Sequence, residues 1–178
     1  MQPPKRPLPA ATLVLGGTRS GKSALAERLA AGARHPIYLA TAQVGDAEMA
    51  ERVRLHRARR PAPWHTVEEP LDMTGALARL CAPDRAVLLD CLTLWLSNLL
   101  LAGRDPEAEG RALAEALPAL AGPVVMVSSE VGLGIVPDNA LARAFRDHAG
   151  RLNQMIAARC QRVLLVAAGL PLTLKDEA

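Results

Sequence analysis

Aromatic residues are scarce in this chain of 178: two Trp, one Tyr and one Phe, 2% of the total. A core built from it is aliphatic, and the stacking platforms that hold single-stranded nucleic acids are excluded. Cysteine is equally thin. Cys81, Cys91 and Cys160 are odd in number, widely spaced and without a C-x-x-C pair. That excludes a disulfide framework or zinc knuckle and predicts reduced thiols. Of 21 basic side chains, only Lys5, Lys22 and Lys175 are lysines, and the net charge of +3 is too small to argue for DNA by itself.

An unbroken apolar run of membrane-spanning length is missing too. The nearest, Ala86 to Gly103, is interrupted by Asp90, Thr93, Ser97 and Asn98, and reads as a buried strand followed by a buried helix. The start of the chain is Pro-rich, and the apolar stretch after it stops at Leu15. This predicts a flexible tail over 1–11, a single domain over 12–178, no membrane span and a cytoplasmic setting.

What the chain has in quantity is aliphatic material. Half of it is hydrophobic and 22% charged, enough for a buried core. Short apolar runs at Thr12–Gly16, Pro36–Ala40, Trp64–Val67, Arg85–Asp90, Pro123–Ser128 and Arg162–Ala167 read as strands, with Leu170–Leu174 as a final edge strand. Helical patterns cover Lys22–Ala31, Asp46–Arg60, Leu71–Cys81, Leu92–Leu101, Pro106–Leu120 and Asp138–Cys160. Continuous apolar strands alternating with helices predict an α/β fold with a mostly parallel sheet covered on both faces.

Between the first strand and the first helix stands Gly16-Gly17-Thr18-Arg19-Ser20-Gly21-Lys22-Ser23, a match to G-x-x-x-x-G-K-[ST] in the context a P-loop requires. Glycines let backbone N–H groups turn toward phosphate oxygens at the positive end of the helix. Lys22 is the candidate for the β and γ phosphates and the Ser23 hydroxyl for Mg²⁺. Asp90, ending RAVLLD, suits the metal's acidic partner or, alternatively, a helix N-cap. Guanine-reading N-K-x-D is absent, and the D-x-x-G at Asp147–Gly150 falls inside a helical pattern.

The second concentration of chemistry is Arg52, Arg54, Arg57, Arg59 and Arg60 around His56. On a helix, Arg52, His56, Arg59 and Arg60 share one face. That face is a solvated basic surface, a nucleic-acid contact, or a grip on nucleotide phosphates with a neutral, nucleophilic His56 among like charges. Three activities follow from these residues: a kinase that also passes a nucleotide through His56, a plain P-loop kinase with His56 idle, and a RecA-like nucleic-acid module.

The ordered motifs LVLGGTRSGKS (13–23), YLATAQ (38–43), Asp46–Glu68, LLDCLTLWLSNLL (88–100), EVGLGIVPDN (130–139) and RAFRDHAGRLNQ (143–154), with the tail VAAGLPLTLK, carry a resemblance. From Thr12 to Lys175 the chain resembles the bifunctional adenosylcobinamide kinase/adenosylcobinamide-phosphate guanylyltransferase family of cobalamin biosynthesis. The resemblance implies a RecA-like P-loop domain in a homotrimer, with no nucleic-acid partner. It implies phosphorylation of adenosylcobinamide by ATP or GTP. GMP from GTP then passes through a guanylyl-histidine, matching His56, to adenosylcobinamide phosphate, giving adenosylcobinamide-GDP.

Catalytic positions implied are His56 and Lys22. Nucleotide contacts implied are Gly16 through Ser23, then Thr41, Ala42, Gln43, Arg57, Ala58, Arg59, Arg60, Glu68 and Asp90, with Mg²⁺ on Ser23 and Asp90. Glu130 could polarise the substrate hydroxyl, support Mg²⁺ or cap the next turn. Thr18 and Ser129 stand where the family often has Ala and Asn. Trp64 and Phe145 read as packing anchors.

Overall fold

The computed structural model describes residues 8–42 and 61–177. The helix expected over Asp46–Arg60 therefore lies outside the described residues, and so do Gln43, His56, Arg57, Ala58, Arg59 and Arg60.

Seven strands form one sheet: β1 (Ala11–Gly16), β2 (His35–Ala40), β3 (His65–Glu68), β4 (Arg85–Asp90), β5 (Val124–Ser129), β6 (Arg162–Ala167) and β7 (Leu170–Asp176). Their order is β3-β2-β4-β5-β1-β6-β7. All neighbours pair in parallel except β6 and β7, which are antiparallel. The expected parallel sheet is borne out, and the edge strand at 170 runs two residues longer than its apolar pattern. The two residues joining β6 to β7, Ala168 and Gly169, both have positive φ, 51° and 79°, as a tight two-residue hairpin turn demands.

Among the described residues the helices are α1 (Lys22–Ala30), α2 (Met73–Leu80), α3 (Leu92–Leu101), α4 (Pro106–Ala116) and α5 (Ala140–Arg159). Their ends follow local chemistry. Asp72, Cys91, Asp105 and Asn139 accept first-turn N–H groups of α2 to α5 through their side chains. The helix expected to run to Leu120 stops at Ala116, with a 3₁₀ turn over Leu117–Ala119 at Pro118, which has no N–H to donate.

Strand alternation divides the apolar residues into two clusters. Leu13, Leu15, Val87, Leu89, Val124 and Met126 face one side and pack with residues of α2 to α5. Val14, Leu88, Val125 and Val127 face the other, against Ala26 and Ala30 of α1 with Tyr38. Phe145 packs on the first cluster and Trp64 on the second, as expected. Leu8 packs on the second as well, and Ala11 already belongs to β1, so the described part of the expected tail is tied to the body. No helix among the described residues is long and apolar enough to cross a membrane.

Trp95 of α3 is wholly buried, and its Nε1–H donates to Leu71 O at 2.9 Å. With so few aromatic rings available, this one fills much of the core and holds a loop at once. Trp95→Ala should lower unfolding free energy by about 3–5 kcal/mol, read by chemical denaturation.

Candidate functional site

Parallel pairing sends the carboxyl ends of β1, β2, β3, β4 and β5 to one edge of the sheet, where α/β folds bind ligands. The loop after β1 turns tightly there. Gly21 has φ 97°, and a Cβ on it would lie 3.2 Å from Gly169 Cα. A Cβ on Gly16 would come within 2.5 Å of Ser20 Oγ and 2.6 Å of Val166 O, so neither glycine can be replaced without moving the loop. Arg19 also takes a left-handed φ, 56°. Inside the loop Ser20 N–H donates to Gly17 O at 3.2 Å, and Gly169 N–H donates to Ser20 O at 2.8 Å.

Gly17, Thr18 and Arg19 are exposed, and Lys22 and Ser23 are half-buried in the first turn of α1. Lys22 Nζ folds back to donate to Gly17 O at 3.1 Å, which places its charge over the loop. α1 differs from the other four helices at its start. Its N-cap is Gly21, no side chain bonds its first turn, and that turn holds no acid. The orphan N–H groups and the positive end of the dipole are therefore left for an anion.

Asp90 ends β4, two strands from β1, so the spacing of strands puts it about 10 Å from the loop backbone. Its carboxylate is not the cap of α3. That place belongs to Cys91, whose Sγ accepts Leu94 N–H at 3.4 Å. Instead Asp90 Oδ2 accepts the Tyr38 hydroxyl at 2.9 Å. The cap alternative for Asp90 is thereby removed.

Thr41, wholly buried just past β2, clamps the same junction. Its Oγ1 accepts Cys91 N–H at 3.0 Å and lies 3.1 Å from Cys91 O and 3.3 Å from Asp90 O. Asn98 Nδ2 in turn donates to Thr41 O at 2.8 Å and Pro70 O at 3.0 Å. The half-buried Ala42 follows on the same strand end. Glu68 ends β3 opposite Ala40, exposed, and strand spacing puts it about 19 Å from β1, at reach for the far end of a nucleotide rather than its terminal phosphates. Glu130 caps its own turn: Oε1 accepts Gly132 N–H at 2.6 Å, while Glu130 N–H donates to Gly16 O at 3.1 Å.

The structure thus gathers Gly16 to Ser23, Thr41, Ala42 and Asp90 at one edge, with Glu68 at its far end. Tyr38 and Asn98, which hold this edge in shape, fall inside the stretches YLATAQ and LLDCLTLWLSNLL but drew no role from them. Their signal was a lone tyrosine within a strand and a polar residue inside an apolar helix. As for a metal, no three His, Cys, Asp or Glu residues cluster among the described residues. The oxygen donors Ser23 and Asp90 alone fit Mg²⁺, which keeps waters and phosphate oxygens, better than a cation that needs a full protein cage.

Burial, and after it the Asp90 carboxylate, push the Cys91 thiol up from 9.0 to about 11. Lys22 acts in the opposite direction, which places its ammonium within electrostatic reach of the end of β4. Burial likewise pushes Cys81 to about 11 and Cys160 to about 12. All three cysteines are free. Native thiols hold their protons where those of the unfolded chain have lost them. Their contribution to stability is therefore complete below pH 9.0 and lost as pH rises through 11 to 12. Ellman's reagent at pH 8 is expected to leave the native protein unlabelled over the minutes in which the denatured chain reacts at three sites.

A family model described as cobinamide kinase / cobinamide phosphate guanyltransferase matches residues 12–174. The bifunctional adenosylcobalamin biosynthesis protein CobP of Pseudomonas aeruginosa is 53% identical over 169 residues, covering 93% of this chain and 97% of that protein. The bifunctional adenosylcobalamin biosynthesis proteins CobU of Salmonella typhimurium and Escherichia coli are 43% and 40% identical, each match covering 92% of this chain and 98% of the relative. Among solved structures, the P4 protein from bacteriophage phi6 in complex with ADP is similar with a TM-score of 0.52 at 17% identity, covering 96% of this chain and 56% of that one. An ATPase from a type III secretion system of pathogenic bacteria gives 0.52 at 14%, covering 92% and 56%. At such identities these two show the fold alone, an α/β P-loop architecture of the RecA-like kind.

Proposed function

The chain belongs to the cobinamide kinase / cobinamide phosphate guanyltransferase family, and from that premise we propose its substrates and its intermediate. It phosphorylates adenosylcobinamide with ATP or GTP. It then passes GMP from GTP, by way of a guanylyl-histidine at His56, to adenosylcobinamide phosphate, giving adenosylcobinamide-GDP.

The observation that carries the nucleotide part is the open start of α1, alone among the described α-helices in having no side-chain cap, behind a glycine loop and Lys22. Backbone N–H groups from Gly16 to Ser23 cradle the phosphates, and Lys22 exchanges its bond to Gly17 O for phosphate oxygens. Ser23 and Asp90 would hold Mg²⁺, which when bound supplies charge neutralisation between the phosphates. Tyr38 fixes the Asp90 carboxylate by donating to Oδ2. Thr41, Ala42, Gln43 and Glu68 continue the nucleotide contacts toward ribose and base, and Arg57, Ala58, Arg59 and Arg60 are further nucleotide contacts.

In the transferase half an imidazole nitrogen of His56 attacks the α-phosphorus of GTP. The bond from that phosphorus to the bridging oxygen breaks, and pyrophosphate leaves. A phosphate oxygen of adenosylcobinamide phosphate then attacks the same phosphorus and releases the imidazole. Five arginines within nine positions of His56 support this reading, since like charge keeps an imidazole unprotonated and cations stabilise the departing pyrophosphate.

A homotrimer in the cytoplasm completes the proposal. Supporting association, Leu170, Leu172 and Leu174 line up exposed along β7, and Leu133 and Ile135 are 86% and 98% exposed after β5. Light scattering on the purified chain should give the mass of three copies; a monomer at micromolar concentration contradicts it.

With GTP labelled at the α-phosphorus, the protein should acquire acid-labile, base-stable label. His56→Ala should abolish that label while phosphorylating cobinamide. Lys22→Met should cut kinase turnover by about 10²–10³-fold. Wild-type protein that never takes up label would overturn the histidine intermediate.

A further inference from the structure

Beyond the residues that face the nucleotide, a buried chain of hydroxyls joins the end of β4 to the phosphate loop. Ser128, on β5, occupies the face on which Val124 and Met126 enter the core, yet it is polar and 1% exposed. Such a group is costly unless fully hydrogen-bonded. Its Oγ donates to Asn153 Oδ1 of α5 at 2.7 Å; Asn153 is itself only 7% exposed. Thr93 Oγ1, in the first turn of α3, lies 3.2 Å from Ser128 Oγ and 2.7 Å from Ser129 N.

The directions of these bonds are fixed by counting protons. A hydroxyl has one to give. Ser128 gives its own to Asn153, so between the two hydroxyls Thr93 must be the donor. Thr93 Oγ1 in turn accepts the N–H of Ser129.

That acceptor role has a structural reason. The β4–β5 ladder ends with Asp90 opposite Val127, so β4 offers no further partner to β5 beyond that point. The Thr93 hydroxyl takes the place of the missing strand carbonyl. On its other side Ser129 pairs with Gly16, the first residue of the phosphate loop, and Glu130 N–H donates to Gly16 O. One side chain therefore connects the helix that starts two residues after Asp90 with the end of β5, which lies beside the strand that carries the loop.

We propose that Thr93 is a positioning residue for phosphoryl transfer, setting the separation between Asp90 and the phosphate loop through its bonds to Ser129 and Ser128. It touches no reacting atom. The inference rests on reading Asp90 as the carboxylate beside the phosphates.

The test is cobinamide kinase turnover in the full chain as a function of MgCl₂ at saturating ATP, with melting temperature measured on the same samples. Thr93→Val keeps the shape and removes the hydroxyl. It should lower kcat by about tenfold or more, with KM for ATP within about twofold, because a small misplacement costs rate more than binding. It should also raise the MgCl₂ concentration for half-maximal rate. Thr93→Ser restores the hydroxyl and should return both readings to within about threefold of wild type.

Ser128→Ala removes the acceptor but leaves the bond to Ser129. It should lower the melting temperature at least as much as Thr93→Val while costing no more than about threefold in kcat. Equal losses of kcat in Ser128→Ala and Thr93→Val would mean that the network only stabilises the fold, and would overturn the inference. So would a folded Thr93→Val enzyme with unchanged kcat and MgCl₂ dependence. If Thr93→Val does not fold, Thr93→Ser against Ser128→Ala decides: the inference requires the first to keep the wild-type MgCl₂ dependence and overturns if it does not. Asp90→Asn separates the underlying reading. Full activity there overturns both statements, whereas an inactive Asp90→Asn beside an unaltered Thr93→Val overturns only the role of Thr93.

Discussion

The phosphate site we propose depends on peptide N–H groups at the start of α1 that no capping side chain satisfies. Glycine at the N-cap supplies no side-chain oxygen, and the first turn carries no acid to satisfy them. Everything around the loop preserves that unsatisfied state. The close approach of Gly16 to Val166 O and of Gly21 to Gly169 leaves no room for side chains that would fill the cradle from within. Parallel pairing then brings the ends of β4 and β2 to the same edge of the sheet, two and three strands away. A carboxylate, a tyrosine hydroxyl and a buried threonine are brought together there by backbone geometry rather than by proximity in sequence.

The economy of aromatic residues gives the two that are deeply buried a double use. Trp95 fills the core under α3 and donates to Leu71 O; Tyr38 lies in the opposite cluster and donates to Asp90. In an otherwise aliphatic interior, these polar ends and the amide of Asn98 hold the segments that follow β2 and β3. Rigidity at the site thus comes from few, directional bonds and not from bulk.

Much of this was legible before any coordinates. The strand runs RAVLLD and RVLLVA and the glycine loop announce themselves because burial on both faces and a tight turn each demand a narrow choice of residues. Strand ends were off by a residue where Pro36 and Pro123 hid the boundary, since proline cannot donate to a ladder. Thr93 and Asn98 stood in the apolar stretch without a visible role, because the partners of their side chains lie 28 to 57 residues away. Cys91 as the cap of α3 was illegible for another reason: a thiol is a poor acceptor, and Asp90 next to it was the better candidate on chemistry alone. Gln43 and the arginines around His56 were read from sequence and lie outside the described residues.

The hairpin that finishes the sheet is also a wall of the nucleotide loop, through Gly169 N–H on Ser20 O and the tight contact of Gly169 with Gly21. The outermost edge and the innermost recognition element are therefore mechanically one piece. Lengthening that two-residue turn would be felt first in the shape of the glycine loop, even though the insertion sits at the margin of the sheet.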